Sequence, residues 1–137
     1  MKLIFYTFII LLPSLNIQAQ SKISEKNYSL YIQSLIGGER EVSIQNGRID
    51  LVTSEYAIEI EKAKNWKESI GQSLWYALNT NKKPAIILIL ETESDYKHLI
   101  QLQTTIDYGK LTEAITVFAF PNDFKELIEK KKTDNKR

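Results

Sequence analysis

Carboxylate side chains recur in one stretch of the sequence, residues 47 to 76, at spacings that suit a cation site. Asp50 lies in one predicted strand, and Glu59 and Glu61 lie in the next. Because successive side chains of a strand point to opposite faces, Glu59 and Glu61 share one face, while the isoleucines beside them belong to the core. The hairpin is therefore expected to present its carboxylates together, away from the core.

The connection between these two strands decides which carboxylates meet. If Thr53 pairs with Tyr56 around a two-residue loop, Asp50 lies opposite Glu59, with Cβ atoms about 5 Å apart. Carboxylates that close repel unless a proton or a cation intervenes. A hard divalent cation such as Mg²⁺, held by carboxylates, a backbone carbonyl and waters, would satisfy them. The alternative is that these acids form the solvated face of an antiparallel sheet.

A helix predicted to begin near Lys64 carries a polar ridge toward this hairpin. Gln72 and Tyr76 are four residues apart and lie one above the other, and Lys64 and Glu68 continue the ridge to the helix start. The apolar stripe of the helix is predicted from Trp66, Ile70, Leu74 and Leu78. The ridge is placed to line a site. The plainer interpretation makes Gln72 a surface residue and Tyr76 a partly buried aromatic at a rim.

The whole chain predicts a single α/β domain with a mixed central sheet. Alternating polarity, the Asn46-Gly47 turn and helical periodicity give the order α-β-β-β-α-β-α-β-α. The predicted helices cover 21–36, 64–80, 94–107 and 124–132, and the predicted strands cover 41–44, 48–53, 56–61, 85–90 and 114–120. Gly37-Gly38 is expected to end the first helix.

Charge and cysteine content argue against some classes of function. Lys2 is the only charged residue of positions 1–19, so residues 20–137 carry 17 basic and 17 acidic side chains and no net charge. That balance argues against a protein held on nucleic acid by bulk positive charge. The chain has no Cys, and therefore no disulfide framework and no thiolate chemistry.

The N-terminus predicts export. Lys2 precedes an apolar run from Leu3 to Leu12 and a small-polar segment to Ala19, which is the pattern of a signal peptide. The run is short of the ~20 apolar residues that a membrane span needs, so no span is expected in the mature chain. We expect a periplasmic or extracellular protein with three parts: a signal peptide (1–19), a domain (20–132) and a charged tail (133–137).

An ordered set of motifs resembles the core of the PD-(D/E)xK nuclease superfamily. The set is Gly47-x-x-Asp50, Glu59-Ile60-Glu61 and Gln72-x-x-x-Tyr76, and its helix is most similar to the RecB-like branch, in the form of a small exported bacterial protein. The resemblance implies a restriction-endonuclease-like α-β-β-β-α-β core followed by helix-strand-helix.

The resemblance also implies roles for individual residues. Asp50, Glu59 and the carbonyl of Ile60 would hold a divalent metal, Mg²⁺ or Mn²⁺. Glu41 would be an auxiliary acid, and Gln72 and Tyr76 would line the site.

Glu61 departs from the superfamily pattern, which has Lys at this position. Such a Lys offsets charge beside the attacking water, whereas Glu adds negative charge and repels phosphate. Three interpretations stay open. Lys64, or else Lys62 or Lys67, delivers the ammonium group; Glu61 helps to hold a second cation; or catalysis has been lost.

The function implied by the resemblance is that of an exported, metal-dependent phosphodiesterase, a nuclease with nucleic acid as substrate. Its catalytic residues would be Asp50, Glu59, Glu61, Lys64, Gln72 and Tyr76. The alternative is a catalytically inactive nuclease-fold module that serves binding or interaction at the cell envelope. A third possibility is a plain envelope protein of unknown role.

Overall fold

A five-stranded mixed sheet forms the centre of the protein, as seen in a computed structural model that describes residues 23–136. The helices are α1 (Glu25–Ile36), α2 (Trp66–Thr80), α3 (Tyr96–Tyr108) and α4 (Lys125–Asp134). The strands are β1 (Glu39–Ile44), β2 (Gly47–Val52), β3 (Tyr56–Lys62), β4 (Lys83–Ile89) and β5 (Thr116–Phe120). The predicted single α/β domain is therefore confirmed, and most element boundaries differ from the prediction by one to three residues.

The strands lie in the order in which they occur along the chain, β1-β2-β3-β4-β5. The β1–β2 and β2–β3 pairs are antiparallel, and the β3–β4 and β4–β5 pairs are parallel. The predicted register of the β2–β3 hairpin is confirmed where the strands pair, since Leu51 lies opposite Ile58 and Val52 lies opposite Ala57. Gly38 joins α1 to β1 with φ +98°, and a Cβ there would approach the Val52 carbonyl oxygen to 2.6 Å, which is why glycine is required.

Helices cover both faces of the sheet, and the alternation of buried side chains follows from this arrangement. On one face, Ile58 and Ile87 pack with Ile32 of α1 and with Phe124. On the other face, apolar side chains of β4 and β5 pack against α2 and α3; they include Ile86, Leu88 and Ala119. Burial on both faces explains the uninterrupted apolar run in β4.

The buried face of α2 differs from the predicted stripe. Ser69 and Ser73 are fully buried, whereas Leu78 is 76% exposed. Two serines on the inner face let the helix approach the sheet closely, because they carry little volume. The prediction that Leu78 belongs to the buried stripe is wrong. A hydropathy pattern assigns leucine to the buried face and serine to the exposed face, although small residues can fill a tightly packed interface.

Two further predictions concern the chain ends. The predicted signal peptide lies outside the described residues, and export stays a prediction. Helix α4 continues to Asp134, two residues past its predicted end at Lys132 and into the predicted charged tail. Within residues 23–136, no helix is long and apolar enough to cross a membrane.

Candidate functional site

A gap between β2 and β3 creates the candidate site. Ladder pairing of these strands is confined to Leu51–Ile58 and Val52–Ala57. Beyond it, the backbone N–H of Ile60 donates a hydrogen bond to Oδ2 of Asp50 at 2.8 Å. A side chain of β2 thus takes the place that a backbone carbonyl would hold in a continued ladder.

The backbone of β1 also changes direction at this level. Glu41 has φ 59°, a left-handed conformation that is uncommon outside glycine. On one side of it, Arg40 pairs with Leu51, which packs on the α1 face of the sheet. On the other side, Val42 pairs with Ile49, which packs against α2. Leu51 and Ile49 therefore pack on opposite faces of the sheet, and the change of face occurs at the level of Glu41 and Asp50.

Glu59 is the most deeply buried acid of the site. It is only 4% exposed, and its Oε2 has no hydrogen-bond partner among the described residues. Burial, reinforced by the charges of Asp50 and Glu61, raises the pKa of Glu59 to about 9. Burial is also the main reason that the pKa of Asp50 is raised, although the Ile60 N–H bond acts in the opposite direction. The alternative that these acids form a solvated sheet face is wrong for Glu59.

Glu61 shares the face of Glu59 and turns toward the start of α2. Its Oε1 accepts hydrogen bonds from the Lys62 backbone N–H at 2.9 Å and from Asn65 Nδ2 at 3.0 Å. Burial and the neighbouring Glu25 carboxyl raise the pKa of Glu61 to about 7. Glu25, in the first turn of α1, is an acid of the site that the sequence did not indicate.

Gln72 and Tyr76 face the sheet, as the polar ridge predicted. Oε1 of Gln72 is buried without a hydrogen-bond partner in the described part of the chain. Tyr76 is buried beside Ile49 and Ala57. Burial and the carboxylates of Glu59 and Asp50 raise the pKa of its hydroxyl. Tyr76 is therefore a neutral group beside Glu59.

These side chains surround a cavity of about 690 Å³. Its lining contains five acids, three basic residues and three others: Glu25, Glu41, Asp50, Glu59, Glu61, Lys26, Arg40, Arg48, Ser29, Ile60 and Gln72. Of the predicted site residues, the structure thus brings Asp50, Glu59, Ile60, Glu61, Glu41 and Gln72 to one cavity. Tyr76 lies behind Glu59 and does not line it.

None of the three lysines expected to replace the superfamily's Lys lines the cavity. Lys64 is exposed in a one-turn 3-10 helix, Ala63–Asn65, and does not line the cavity. Lys62 is engaged elsewhere, since its Nζ lies 2.8 Å from Glu91 Oε1. Lys67 lies over the ring of Trp66. The expectation that Lys64 points into the site is corrected, because the helix begins after a tight turn that directs residue 64 outward.

The carboxylates of the cavity offer ligands for a divalent cation. Among residues 23–136, no three His, Cys, Asp or Glu side chains are placed to hold a metal ion together. Mg²⁺, however, keeps most of its waters and is commonly bound by one or two carboxylates together with phosphate oxygens of a ligand. Asp50 and the unpartnered Oε2 of Glu59 provide such a pair of carboxylates, so the residues fit that mode of binding.

The basic lining of the cavity is the part that sequence reasoning missed. Lys26 and Ser29 come from α1, and Arg40 and Arg48 come from the β1–β2 hairpin. Arg48 Nε lies 2.7 Å from Glu41 Oε2. A spacing of three residues between Lys26 and Ser29 puts both on one helix face. Nothing in the sequence shows which strand that face meets.

Part of the chain is similar to three KilA-N domain-containing proteins of Acanthamoeba polyphaga mimivirus. They are 42%, 42% and 38% identical to it over 66, 65 and 58 residues. Those segments make up 48%, 47% and 42% of this chain but only 25%, 18% and 16% of the relatives. The chain thus spans a quarter or less of the length of these relatives. No family model matches the chain, and no solved structure matches it significantly.

These relatives correct the identification made from the motifs. They are named for KilA-N, a different family from the PD-(D/E)xK nucleases. The predicted nuclease is therefore wrong, and the inactive nuclease-fold module of the cell envelope loses its basis as well. The same finding overturns the description of a RecB-like hydrolase, whereas export and cation binding stay predictions. The case for a cation consequently rests on the residues of the cavity alone.

Proposed function

We propose that the cavity binds a divalent cation, Mg²⁺ or Mn²⁺, and that the bound cation holds a phosphate group of nucleic acid. The observation that carries the proposal is the unpartnered Oε2 of Glu59, buried beside the carboxyl of Asp50. A buried carboxylate oxygen without a partner is costly. In the absence of a cation, protonation of Glu59, whose pKa is raised to about 9, avoids that cost. A cation between the two carboxyl groups would take the place of this proton.

The choice of Mg²⁺ or Mn²⁺ follows from the ligand atoms. Carboxylate and backbone carbonyl oxygens are hard donors, and the cavity contains no sulfur or imidazole ligand. Asp50 and Glu59 would hold the ion, and Ile60, which lines the cavity, offers the carbonyl expected from the sequence. When bound, the ion would supply a positive charge that attracts phosphate oxygens.

Nucleic acid is proposed as the partner because basic residues share the cavity with the acids. Lys26, Arg40 and Arg48 line the cavity, and phosphate oxygens are the usual partners of such groups in nucleic acid complexes. The absence of net charge on residues 20–137 favours a local, cation-dependent contact over attraction to the whole surface. A restriction-endonuclease-like core stays a prediction about the fold, on which cation binding does not depend.

The test is binding of fluorescently labelled oligonucleotides, measured by anisotropy with Mg²⁺ and with a chelator. Single-stranded DNA, duplex DNA and RNA are compared, because the cavity does not select among them. We expect binding in Mg²⁺ that weakens roughly tenfold or more with chelator, a loss of about 1.4 kcal/mol. Asp50→Asn and Glu59→Gln should show the same weakening in Mg²⁺.

The matched control is Glu55→Gln. Glu55 is an exposed acid that pairs with Lys83 and does not line the cavity. This variant makes the same change from carboxyl to amide outside the cavity and should bind as the wild type does. Equal binding by all three variants, or binding indifferent to the chelator, would refute the proposed function.

A further inference from the structure

Arg40 places a largely buried positive charge on the wall of the cavity. Its side chain is 12% exposed, and its Nε donates a hydrogen bond to Ser29 Oγ at 2.8 Å. Ser29 is itself buried, at 6% exposure, in α1. The guanidinium is therefore held in a fixed orientation by a neutral partner, which leaves its charge unbalanced by that contact.

The carboxylate nearest to Arg40 is shared with a second guanidinium. Glu41 lies 2.7 Å from Arg48 through Oε2 but 3.5 Å from Arg40 through Oε1. Two positive groups thus have one negative partner, and Arg48 has the closer contact. By comparison, the buried ammonium of Lys62 has a carboxylate partner at 2.8 Å. Arg40, by contrast, has no carboxylate oxygen nearer than 3.5 Å among the described residues, although four further acids line the same cavity.

We propose that Arg40, fixed by Ser29, is an anion subsite that binds a phosphate oxygen of the ligand beside the cation site. The inference deepens the proposed function and rests on it for the position of the ligand. Because Nε donates to Ser29 and Nη2 has only a long contact of 3.5 Å with Glu41, the terminal nitrogens, first of all Nη1, are the donors for the anion. Arginine presents these nitrogens in a planar fork that matches a pair of phosphate oxygens, which the compact ammonium of lysine does not reproduce.

With this subsite, the cavity would contain separate binding groups for a cation and for an anion. The carboxylates of Asp50 and Glu59 would attract a cation, and Arg40 would contact an anion directly. The ligand is therefore one that offers at least two phosphate oxygens, one for the cation and one for the guanidinium. Both a phosphodiester and free inorganic phosphate meet this requirement.

The experiment follows the side-chain ¹⁵Nε–¹Hε signal of Arg40 by NMR in the full chain, assigned with Arg40→Lys. Inorganic phosphate and a dinucleotide phosphodiester are titrated separately, each with a chelator and with Mg²⁺. We expect the Arg40 signal to shift with the dinucleotide, and affinity to fall roughly tenfold in Arg40→Gln and in Arg40→Lys. Ser29→Ala should lower affinity less, since it removes only the contact that orients the guanidinium.

The control variant is Lys83→Gln, which removes one positive charge at a pair outside the cavity. It should change affinity by about twofold or less. Circular dichroism spectra of all variants test that the fold is retained. Arg40→Lys keeps the positive charge. A loss of affinity in this variant would therefore show that the planar geometry of the guanidinium is required in addition to its charge.

The outcomes distinguish this subsite from the cation site. A shift of the Arg40 NMR signal when phosphate is added in the presence of chelator supports the subsite even if no cation binds. A larger response to inorganic phosphate than to the dinucleotide would keep the subsite but assign it to free phosphate. No shift of Arg40 with either probe, or an equal loss in Lys83→Gln, would overturn the proposal, while cation binding by Asp50 and Glu59 would stand.

Discussion

The backbone N–H of Ile60 is bonded to the carboxylate of Asp50 across a distance of 2.8 Å. This contact joins β2 and β3 after their ladder has ended at Leu51–Ile58. It ties the geometry of the cavity to the stability of the sheet, because the same carboxylate closes the strand gap and lines the cavity. Variants of Asp50 should therefore separate a structural role from a ligand-binding role.

Asp50→Ala should destabilise the protein, whereas Asp50→Asn should not. Alanine leaves the Ile60 N–H without its partner, at a cost of about 1–3 kcal/mol. The amide oxygen of asparagine can still accept that bond, and the loss of the charge removes the cost of burying an ionised Asp50. Urea unfolding monitored by circular dichroism measures both. Equal destabilisation by the two variants would show that the charge, and not the hydrogen bond, holds the strands.

The free energy of unfolding should fall as pH rises from 5 to 9. The pKa of Glu59 is raised to about 9 in the folded protein from its ordinary value of 4.5. A raised pKa favours the folded state fully below the unfolded value, and this contribution is lost as pH rises through the folded value. The pKa of Glu61, raised to about 7, acts in the same direction.

Glu59→Gln should weaken this pH dependence, because glutamine imitates the protonated acid and does not titrate. Urea unfolding at pH 5, 7 and 9 would show a smaller loss for the variant than for the wild type. Glu55→Gln is the control. Lys83 lowers the pKa of exposed Glu55, so the Glu55 carboxyl does not titrate in this range. Parallel curves for wild type and Glu59→Gln would contradict the burial of a protonated Glu59.

Because α2 lies close to the sheet, substitutions at a buried and at an exposed position of this helix should have different effects on stability. Ser73→Leu adds bulk at a fully buried position and should cost about 1–3 kcal/mol of stability through overpacking. Leu78→Gln changes a residue that is 76% exposed and should stay within about 0.5 kcal/mol of the wild type. Thermal unfolding measures both. A larger effect at Leu78 would restore the apolar stripe expected from the sequence.

Nucleic acid binding should depend only shallowly on salt concentration. Three basic residues line the cavity, and each phosphate neutralised on duplex DNA contributes about 0.9 to the slope of log affinity against log salt. The expected magnitude of the slope is therefore about 3 or less, measured by anisotropy at fixed Mg²⁺. A slope of about 5 or more would indicate a second, broader basic surface.

The α/β class, the order of the elements and half of the cavity could be predicted from the sequence, for identifiable reasons. Alternating polarity and the pairing of Thr53 with Tyr56 around a two-residue loop are local features, and they led to the correct β2–β3 register. Asp50 and Glu59 followed from that register. Gln72 followed from helical periodicity.

What could not be predicted depends on contacts between distant segments. Glu25 and Ser29 of α1 reach the cavity only because that helix packs over β2 and β3, which no local pattern encodes. The left-handed backbone of Glu41 is likewise invisible in a sequence where glycine is absent from that position. The motif resemblance failed for a related reason, since short spacings of common residues are shared by unrelated proteins.

The most direct test of the account is calorimetric titration of Mn²⁺ into the wild-type protein, Asp50→Asn, Glu59→Gln and Glu55→Gln. We expect one binding site per chain in the wild type and in Glu55→Gln. We expect binding at least roughly tenfold weaker in the other two variants. Heats of the same size and affinity in all four proteins would contradict a cation site at Asp50 and Glu59, as would the absence of binding in the wild type.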